Sequence, residues 1–420
     1  MLIFKFGGAS VKSAEGVKNI SGILKQYSEQ IIVVVSAMGK TTNAMELVTE
    51  HYAAEREDET RYHFDQIKSY HLGIVDELFG DTRPEAGRDV ASLFEELALR
   101  LGKPPTLNYD FDYDQIVSYG ELISSRIVAH FLAACGIPTI WKDIRRSIKT
   151  DDTWREARLD WQLTEVLVKK DFSFDDARVL VTQGFLGSTI NDMTTTLGRE
   201  GSDFTAAILG HVLKADRVVI WKDVPGVLNA DPKWFDDTVL LRQLSYLDAI
   251  ELAYYGASVI HPKTIKPLQN RNINLFVKSF IQPEAEGTLI GNLTYEKLVP
   301  SFIFKMNQVL MRISPRDFSF IDEDNLQTIF SILNKYSVKI NLMQNSAVQF
   351  YICTNYDKRK LPMIVDELDA KFKLSYETGL EMITIRYFDQ STIERVIINK
   401  DLILEQRGQQ NIQLIVRDRG

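Results

Sequence analysis

The chain has 420 residues, enough for more than one domain, and an ordinary globular composition of 45% hydrophobic and 25% charged residues. A net charge of −8 with no long basic run argues against nucleic-acid binding, and two distant cysteines, Cys135 and Cys353, argue against a disulfide scaffold. No stretch approaches the roughly 20 apolar residues of a membrane span, and the start "MLIFKFGGAS" lacks a signal peptide's long apolar core, so a cytoplasmic protein with no membrane partner is expected.

Along the chain, "LIFKFGG" reads as a short apolar strand ending in glycines, and "SAEGVKNISGILKQY" as a helix with Val17, Ile20, Ile23 and Leu24 on one face. "QIIVVVSAMG" is a β-branched run suited to a strand buried on both faces. This order implies a parallel sheet with a right-handed crossover. Residues 44–114 are charged and helix-rich, the pattern of a helical insertion. "RVLVTQGFLG" and "DRVVIWKDVPG" then repeat the strand-to-glycine-loop pattern, and ligands of open α/β sheets gather at such strand ends.

The character changes after about Tyr295. A strand "FIFKMNQVLMRISP", a helix "DEDNLQTIFSILNKY" capped by Asp322 or Asp324, two strands, a helix "KLPMIVDELDAKF" and a strand "KLSYET" make a βαββαβ, ferredoxin-like unit. A shorter set follows, "LEMITIRYF", "STIERVII", "KDLILEQRG" and "NIQLIVRD". It lacks a second helix, so its sheet has an edge to cover, and another chain is one way to do so.

Several segments carry chemistry. In "KFGGAS" a strand ends in Lys5, Gly7 and Gly8; glycines admit a phosphate to the backbone and Lys5 adds a point charge, although such turns have many uses. "SAMGKTTN" imitates the tail of a Walker A loop, but the glycine required five residues before Gly39 is Val34. "SYGELISSRIVAHFL" begins a helix with Glu121, where an acid also suits the helix dipole. "TTTLGREGSD" is a glycine-bearing loop feeding a helix N-terminus, with Ser202 or Asp203 as the expected N-cap. "IWKDVPGVLNADP" and "YGASVIHPKT" read as chains of tight turns, with His261 as a structural loop histidine.

In this order and combination, and with "EGTLIG" near Gly291, these segments resemble the aspartate kinases of the amino acid kinase family. The resemblance implies an α/β fold: a catalytic domain over 1–294, a mainly parallel sheet flanked by helices, then tandem ACT units over 295–420 (about 302–378 and 379–420), the second abbreviated. It implies transfer of the γ-phosphoryl of MgATP to the β-carboxylate of L-aspartate. Lys5 and Asp203 would be catalytic, with Asp203 orienting Lys5 or assisting Mg²⁺, which ATP itself mainly holds without fixed protein ligands. Arg199 would bind the α-carboxylate of aspartate and Glu121 its ammonium, with Thr42, Glu200, Gly201 and Ser202 completing the substrate site. Lys5, Gly7, Gly8, Ser10, Lys222, Asp223, Leu228, Lys233 and Ser258 fall at the family's nucleotide contacts.

The chain departs from the family pattern at several of these positions. Ala9 stands for a threonine, Glu200 for a glycine, Lys222 for a threonine, Leu228 for a tyrosine, Lys233 for an arginine and Ser258 for a lysine, whose charge Lys222 or Lys263 could supply. For the ACT region two readings stand side by side: binding of an effector, lysine or threonine, or assembly of a homodimer or dimer of dimers by sheet pairing. The turn "SPRDFSFIDEDN" has no glycine to give an effector backbone access. No homoserine dehydrogenase segment follows, so a monofunctional chain is expected. The rival readings are an amino-acid sensor that kept the fold and a kinase acting on another amino acid such as glutamate.

Overall fold

The computed structural model describes all residues except Arg83, Asp176, Asp236, Ser258, Val259, residues 295–298, Phe318 and Gly420. Two compact units divide the chain: Met1–Val227, Leu240–Ile250 and Val259–Thr294 form one, and Leu228–Val239, Glu251–Ser258 and Tyr295–Gly420 the other.

The first unit opens with β1 (Leu2–Phe6), α1 (Ala14–Lys25) and β2 (Ile31–Val35). The helices α2 (Thr41–Ala53), α3 (Glu57–Phe79), α4 (Pro84–Leu101), α5 (Tyr109–Val117) and α6 (Tyr119–Ala134) follow, then β3 (Thr139–Lys142) and α7 (Trp161–Asp171). Next come β4 (Val179–Gln183), a small hairpin of β5 (Leu186–Ser188) and β6 (Thr194–Thr196), α8 (Gly201–Leu213), β7 (Arg217–Lys222), β8 (Gln243–Ser245) and α9 (Tyr246–Tyr255), whose residues from Glu251 belong to the other unit. The series ends with α10 (Pro262–Gln269), β9 (Asn274–Ser279) and β10 (Thr288–Gly291).

The main sheet has the order β3-β4-β2-β1-β7-β9-β10-β8 and is parallel except between β9 and β10. Every residue of β1, β2 and β4 is buried, as the unbroken apolar runs require of strands covered on both faces. Alternation along β1 sends Phe4 and Phe6 to the core shared with Val17, Ile20, Ile23 and Leu24 of α1. Lys5 points to the opposite face, at the carboxyl end of a strand near the centre of the sheet, in register with Val34 and Ile220.

The insertion is helical throughout, α2 to α5, and one buried side chain fastens it to the hairpin. Asp114 on α5 accepts hydrogen bonds from the backbone N–H (2.9 Å) and hydroxyl (2.7 Å) of Thr196 and from the N–H of Arg155 (3.1 Å). Thr195 meets Thr150 hydroxyl to hydroxyl at 2.8 Å, and the carbonyl of Thr194 accepts from Gln115 at 2.7 Å. The three threonines are therefore buried struts of the hairpin rather than ligand groups.

The second unit holds β11 (Ser301–Ser314), α11 (Glu323–Lys335), β12 (Ile340–Asn345), β13 (Phe350–Asn355) and α12 (Lys360–Asp369). It continues with β14 (Lys373–Arg386), α13 (Gln390–Val396), β15 (Lys400–Arg407) and β16 (Asn411–Asp418). Asp322 caps α11, accepting from the Asn325 N–H at 2.9 Å. The six strands form one antiparallel sheet, β12-β13-β11-β14-β16-β15.

Two expectations change here. "KLSYET" and "LEMITIRYF" are a single strand, because Gly379 adopts φ +73° and lets β14 run on through an irregular register with β11. The second half of the sheet is not built from its own segments alone: Ser301–Lys305 of β11 pairs with the second half of β14, from Met382 to Arg386, while β12 and β15 remain the outer strands of the sheet. Among the described residues, no helix is long and apolar enough to cross a membrane.

Asp114→Asn should lower stability by about 1–3 kcal/mol, because the amide would turn an N–H₂ toward donors that now share a carboxylate. The melting temperature reads this, and a variant that melts with the wild type would remove Asp114 as the fastening point.

Candidate functional site

A cavity of about 700 Å³ opens at the carboxyl ends of the central strands, where a parallel sheet presents its ligand sites. Lys5 enters it from β1, Ser36, Ala37 and Gly39 from the loop after β2, Phe185 from the loop after β4 and Lys222 from the end of β7. The N-terminus of α8 supplies Gly201, Ser202 and Asp203, and the loop before it Gly198, Arg199 and Glu200. Thr42, Tyr113 and Glu121 come from α2, α5 and α6.

Backbone packing forces this convergence. A Cβ on Gly8 would lie 2.8 Å from the Gly39 carbonyl oxygen, whose residue's N–H bonds the Gly8 carbonyl at 3.0 Å, so the two glycine turns touch directly. A Cβ on Gly184 would lie 2.4 Å from that of Ser202, so the start of α8 can approach β4 only over a glycine. Phe185 takes φ +68°, held by its N–H to the Thr205 hydroxyl (3.0 Å) and by its carbonyl accepting from Leu197 (2.8 Å). A bulky residue in that conformation is uncommon and marks a constrained wall.

Asp203 is the electrostatic centre. It is 2% exposed, and its carboxylate lies 2.8 Å from the Lys5 ammonium and 3.5 Å from that of Lys222. Burial raises its pKa, but the two lysines outweigh burial and hold it below the ordinary carboxylate value. Both lysines are thereby aimed at the cavity beside the first turn of α8, whose N–H groups favour an anion.

Glu121 has the opposite character. One oxygen accepts from the Ala37 N–H at 3.1 Å, while the other is buried with no hydrogen-bond partner among the described residues. Burial pushes its pKa up to about 8, against hydrogen bonds and a weaker pull from Lys5. Arg199 is exposed on the lining and makes no ion pair or hydrogen bond among the described residues. The cavity thus offers a free guanidinium, two oriented lysines and a helix N-terminus to anions, and an unsatisfied carboxylate to a cation.

Of the residues expected from sequence, Lys5, Gly8, Thr42, Glu121, Arg199, Glu200, Gly201, Ser202, Asp203 and Lys222 line this cavity. Gly7 lies beside it, where a Cβ would sit 3.4 Å from the Lys5 nitrogen. Ser10 is buried with its hydroxyl unpartnered among the described residues, and neither it nor the exposed Asp223 is on the lining. Leu228 and Lys233 belong to the second compact unit and are absent from the lining, while Ser258 lies outside the described residues.

The N-cap of α8 is Glu200, not Ser202 or Asp203; Gly201 already has helical geometry, so the helix starts earlier than the polar pair suggested. The Glu200 carboxylate does not reach freely into the cavity, because it accepts the His261 N–H at 2.8 Å. Sequence reading did not find Tyr113 or Arg155, whose guanidinium lies over the Tyr113 ring at 4.3 Å and pairs with Asp110 at 3.3 Å. They lie in the charged insertion and in a loop without a motif, and tertiary contacts, the Asp114 bond to the Arg155 N–H and the Tyr113 hydroxyl to Glu46 (2.8 Å) among them, hold them at the cavity wall.

The model of the amino acid kinase family matches residues 1–279. Chloroplastic aspartokinase 1 of Arabidopsis thaliana is 31% identical over 409 residues, spanning 91% of this chain and 70% of that protein. Lysine-sensitive aspartokinase 3 of Escherichia coli is 28% identical over 400 residues, spanning 92% of this chain and 86% of that protein. Escherichia coli aspartokinase III, solved with aspartate and ADP in an R-state and with lysine and aspartate in a T-state, superposes with a TM-score of 0.82 at 26% identity. That match covers 99% of this chain and 96% of the other. The chain spans 42% of the length of the bifunctional aspartokinase/homoserine dehydrogenases of Zea mays that it also matches.

The raised pKa of Glu121 has a consequence for stability. The folded state holds this proton more tightly than the unfolded chain, whose carboxyl titrates near 4.5, so the contribution favours folding below that pH and is lost as pH rises through about 8. In Glu121→Gln the dependence vanishes. Its melting temperature should gain on the wild type between pH 5 and 8.5, and a gap that stays constant with pH would contradict the assignment.

Proposed function

Because the chain belongs to the amino acid kinase family and, within it, to the aspartokinases, we propose that it transfers the γ-phosphoryl group of ATP to the β-carboxylate of L-aspartate, giving 4-phospho-L-aspartate and ADP. The observation that carries this reading is the pairing, in one cavity, of the Lys5–Asp203–Lys222 cluster with the unsatisfied carboxylate of Glu121 and the unpaired guanidinium of Arg199. An amino-acid substrate presents one ammonium and two carboxylates, and a triphosphate presents only negative charge.

The β-carboxylate is ionised at neutral pH, so the nucleophile needs no general base. A carboxylate oxygen attacks the γ-phosphorus, the new P–O bond forms, and the bond to the ADP oxygen breaks. Catalysis then consists of positioning and charge neutralisation. In this reading Lys5 neutralises the transferring phosphoryl oxygens, Lys222 the nucleotide side, and Asp203 holds both ammonium groups in place. Arg199 takes the α-carboxylate as a bidentate partner and Glu121 the α-ammonium, with Thr42 and Ser202 beside them. Among the described residues no group of three or more His, Cys, Asp or Glu could hold a metal by itself. In this reading Mg²⁺ would enter on the triphosphate and offset phosphate charge, with Asp203 as the nearby carboxylate.

The Escherichia coli relative solved with lysine in a T-state supports an amino-acid effector; in this reading lysine or threonine acts through the second unit, which also joins copies of the chain. Two free cysteines suit a reducing, cytoplasmic setting.

A hydroxamate assay with MgATP tests the reaction. Turnover on L-aspartate and none on L-glutamate is expected, because one more methylene carries the reacting carboxylate away from the phosphate; equal turnover on both would overturn the substrate assignment. Lys5→Ala should lower kcat by about a hundredfold or more with the fold retained, and near-normal kcat would remove Lys5 from the chemistry. Arg199→Ala should act mainly on aspartate, raising its KM about tenfold or more at little cost to the KM for ATP. An unchanged KM for aspartate would refute the clamp.

A further inference from the structure

Glu200 occupies a backbone position with φ 53° and ψ 30°, the left-handed region that glycine adopts without strain. A residue kept there against its backbone preference calls for a reason in its side chain. Capping is not that reason: Glu200 is the N-cap of α8, yet its carboxylate accepts no hydrogen bond from the first turn. It turns away and accepts the His261 N–H at 2.8 Å. His261 is itself the N-cap of α10, its ring nitrogen accepting the Lys263 N–H at 3.2 Å just after Pro262 opens the helix. One side chain therefore joins the starts of two helices.

The neighbour of Glu200 explains why such a tie would matter. Arg199 has no partner of its own among the described residues, so the direction in which its side chain leaves the loop is set by the backbone on either side of it. On one side lies Gly198 at φ +73°, and beyond Glu200 lies Gly201, where a Cβ would meet the Phe185 ring at 2.6 Å. With glycine at 200 as well, the arginine would ride on a run of glycines and lose more freedom on each binding event. Partial burial raises the pKa of Glu200, and Lys222 draws it back, which places the carboxylate within the field of the cavity.

We propose that Glu200 is a positioning residue, a clasp that bonds the His261 amide and so holds Arg199 ready at the cavity mouth. The kinetic part of this inference rests on the aspartate kinase reading; the structural part does not.

The test compares full-length wild type, Glu200→Gly and Glu200→Gln. Hydrogen-exchange mass spectrometry on overlapping peptides that begin several residues before 260, one ending at 260 and one at 262, reads the His261 amide by difference, since residue 262 is proline and contributes none. Glu200→Gly should speed exchange there about tenfold or more, while Glu200→Gln, which keeps an acceptor oxygen, should stay near wild type. In the hydroxamate assay Glu200→Gly should raise the KM for aspartate about five- to tenfold with kcat within about twofold, and Glu200→Gln should restore it. The melting temperature of Glu200→Gly should not fall, because glycine relieves the backbone. Unchanged exchange at His261 in Glu200→Gly would overturn the clasp, as would a Glu200→Gln variant as impaired as the glycine variant. If the wild type itself fails to phosphorylate aspartate, the functional reading falls, and the exchange comparison still decides the clasp.

Discussion

The first unit turns on one buried carboxylate. Asp203, at the first turn of α8, lies between Lys5 on β1 and Lys222 at the end of the neighbouring β7. Removing a carboxylate from water costs several kcal/mol unless it is paired and hydrogen-bonded, and here two ammonium groups and a helix N-terminus offset that cost together. The cluster therefore fixes α8 against the middle of the sheet and sets the height of both lysines at the strand ends. The glycines follow from it: Gly184 lets the start of α8 press against β4, and Gly8 lets the turn after β1 touch the turn after β2.

Around that centre the site is assembled from segments far apart in the chain. The insertion adds Tyr113 and, through Asp114, the loop that carries Arg155. Glu121 is the place where the cavity is left incomplete, with a buried oxygen facing no donor and a proton held to about pH 8. A buried carboxylate oxygen with no protein donor is costly to the fold, and a ligand ammonium would offset that cost. Stability and binding are in that sense opposed at this residue.

Much of this was legible before any coordinates. The unbroken apolar runs of β1 and β2 read as strands covered on both faces, and the resemblance of the glycine-bearing segments to those of aspartate kinases implied one site for Lys5, Glu121, Arg199 and Asp203. What stayed hidden depended on tertiary contacts. The start of α8 moved to Glu200 because a left-handed residue can cap a helix when another segment holds its side chain, here by the His261 amide. The role of Thr194, Thr195 and Thr196 stayed hidden because nothing local shows that Asp114, Thr150 and Gln115 claim them. Gly379 read as a break between strands because its positive φ, which carries β14 forward, cannot be seen in the residue type alone. Leu228 and Lys233, expected at the nucleotide, fall in a segment that folds with the second unit: Asn229 bonds the Pro300 carbonyl at 3.0 Å, and Phe235 stacks on Phe302 at 4.7 Å.

The long strands β11 and β14 run through both halves of the second unit's sheet, and the opening residues of β11 complete the half that otherwise comes from the chain's end. The two halves are thus interleaved rather than consecutive. No single cut between them leaves two whole sheets, so a fragment beginning near Gly379 would expose the unpaired flank of β14 and tend to aggregate. The two halves therefore share one sheet, and a cut within either long strand takes a neighbour away from both.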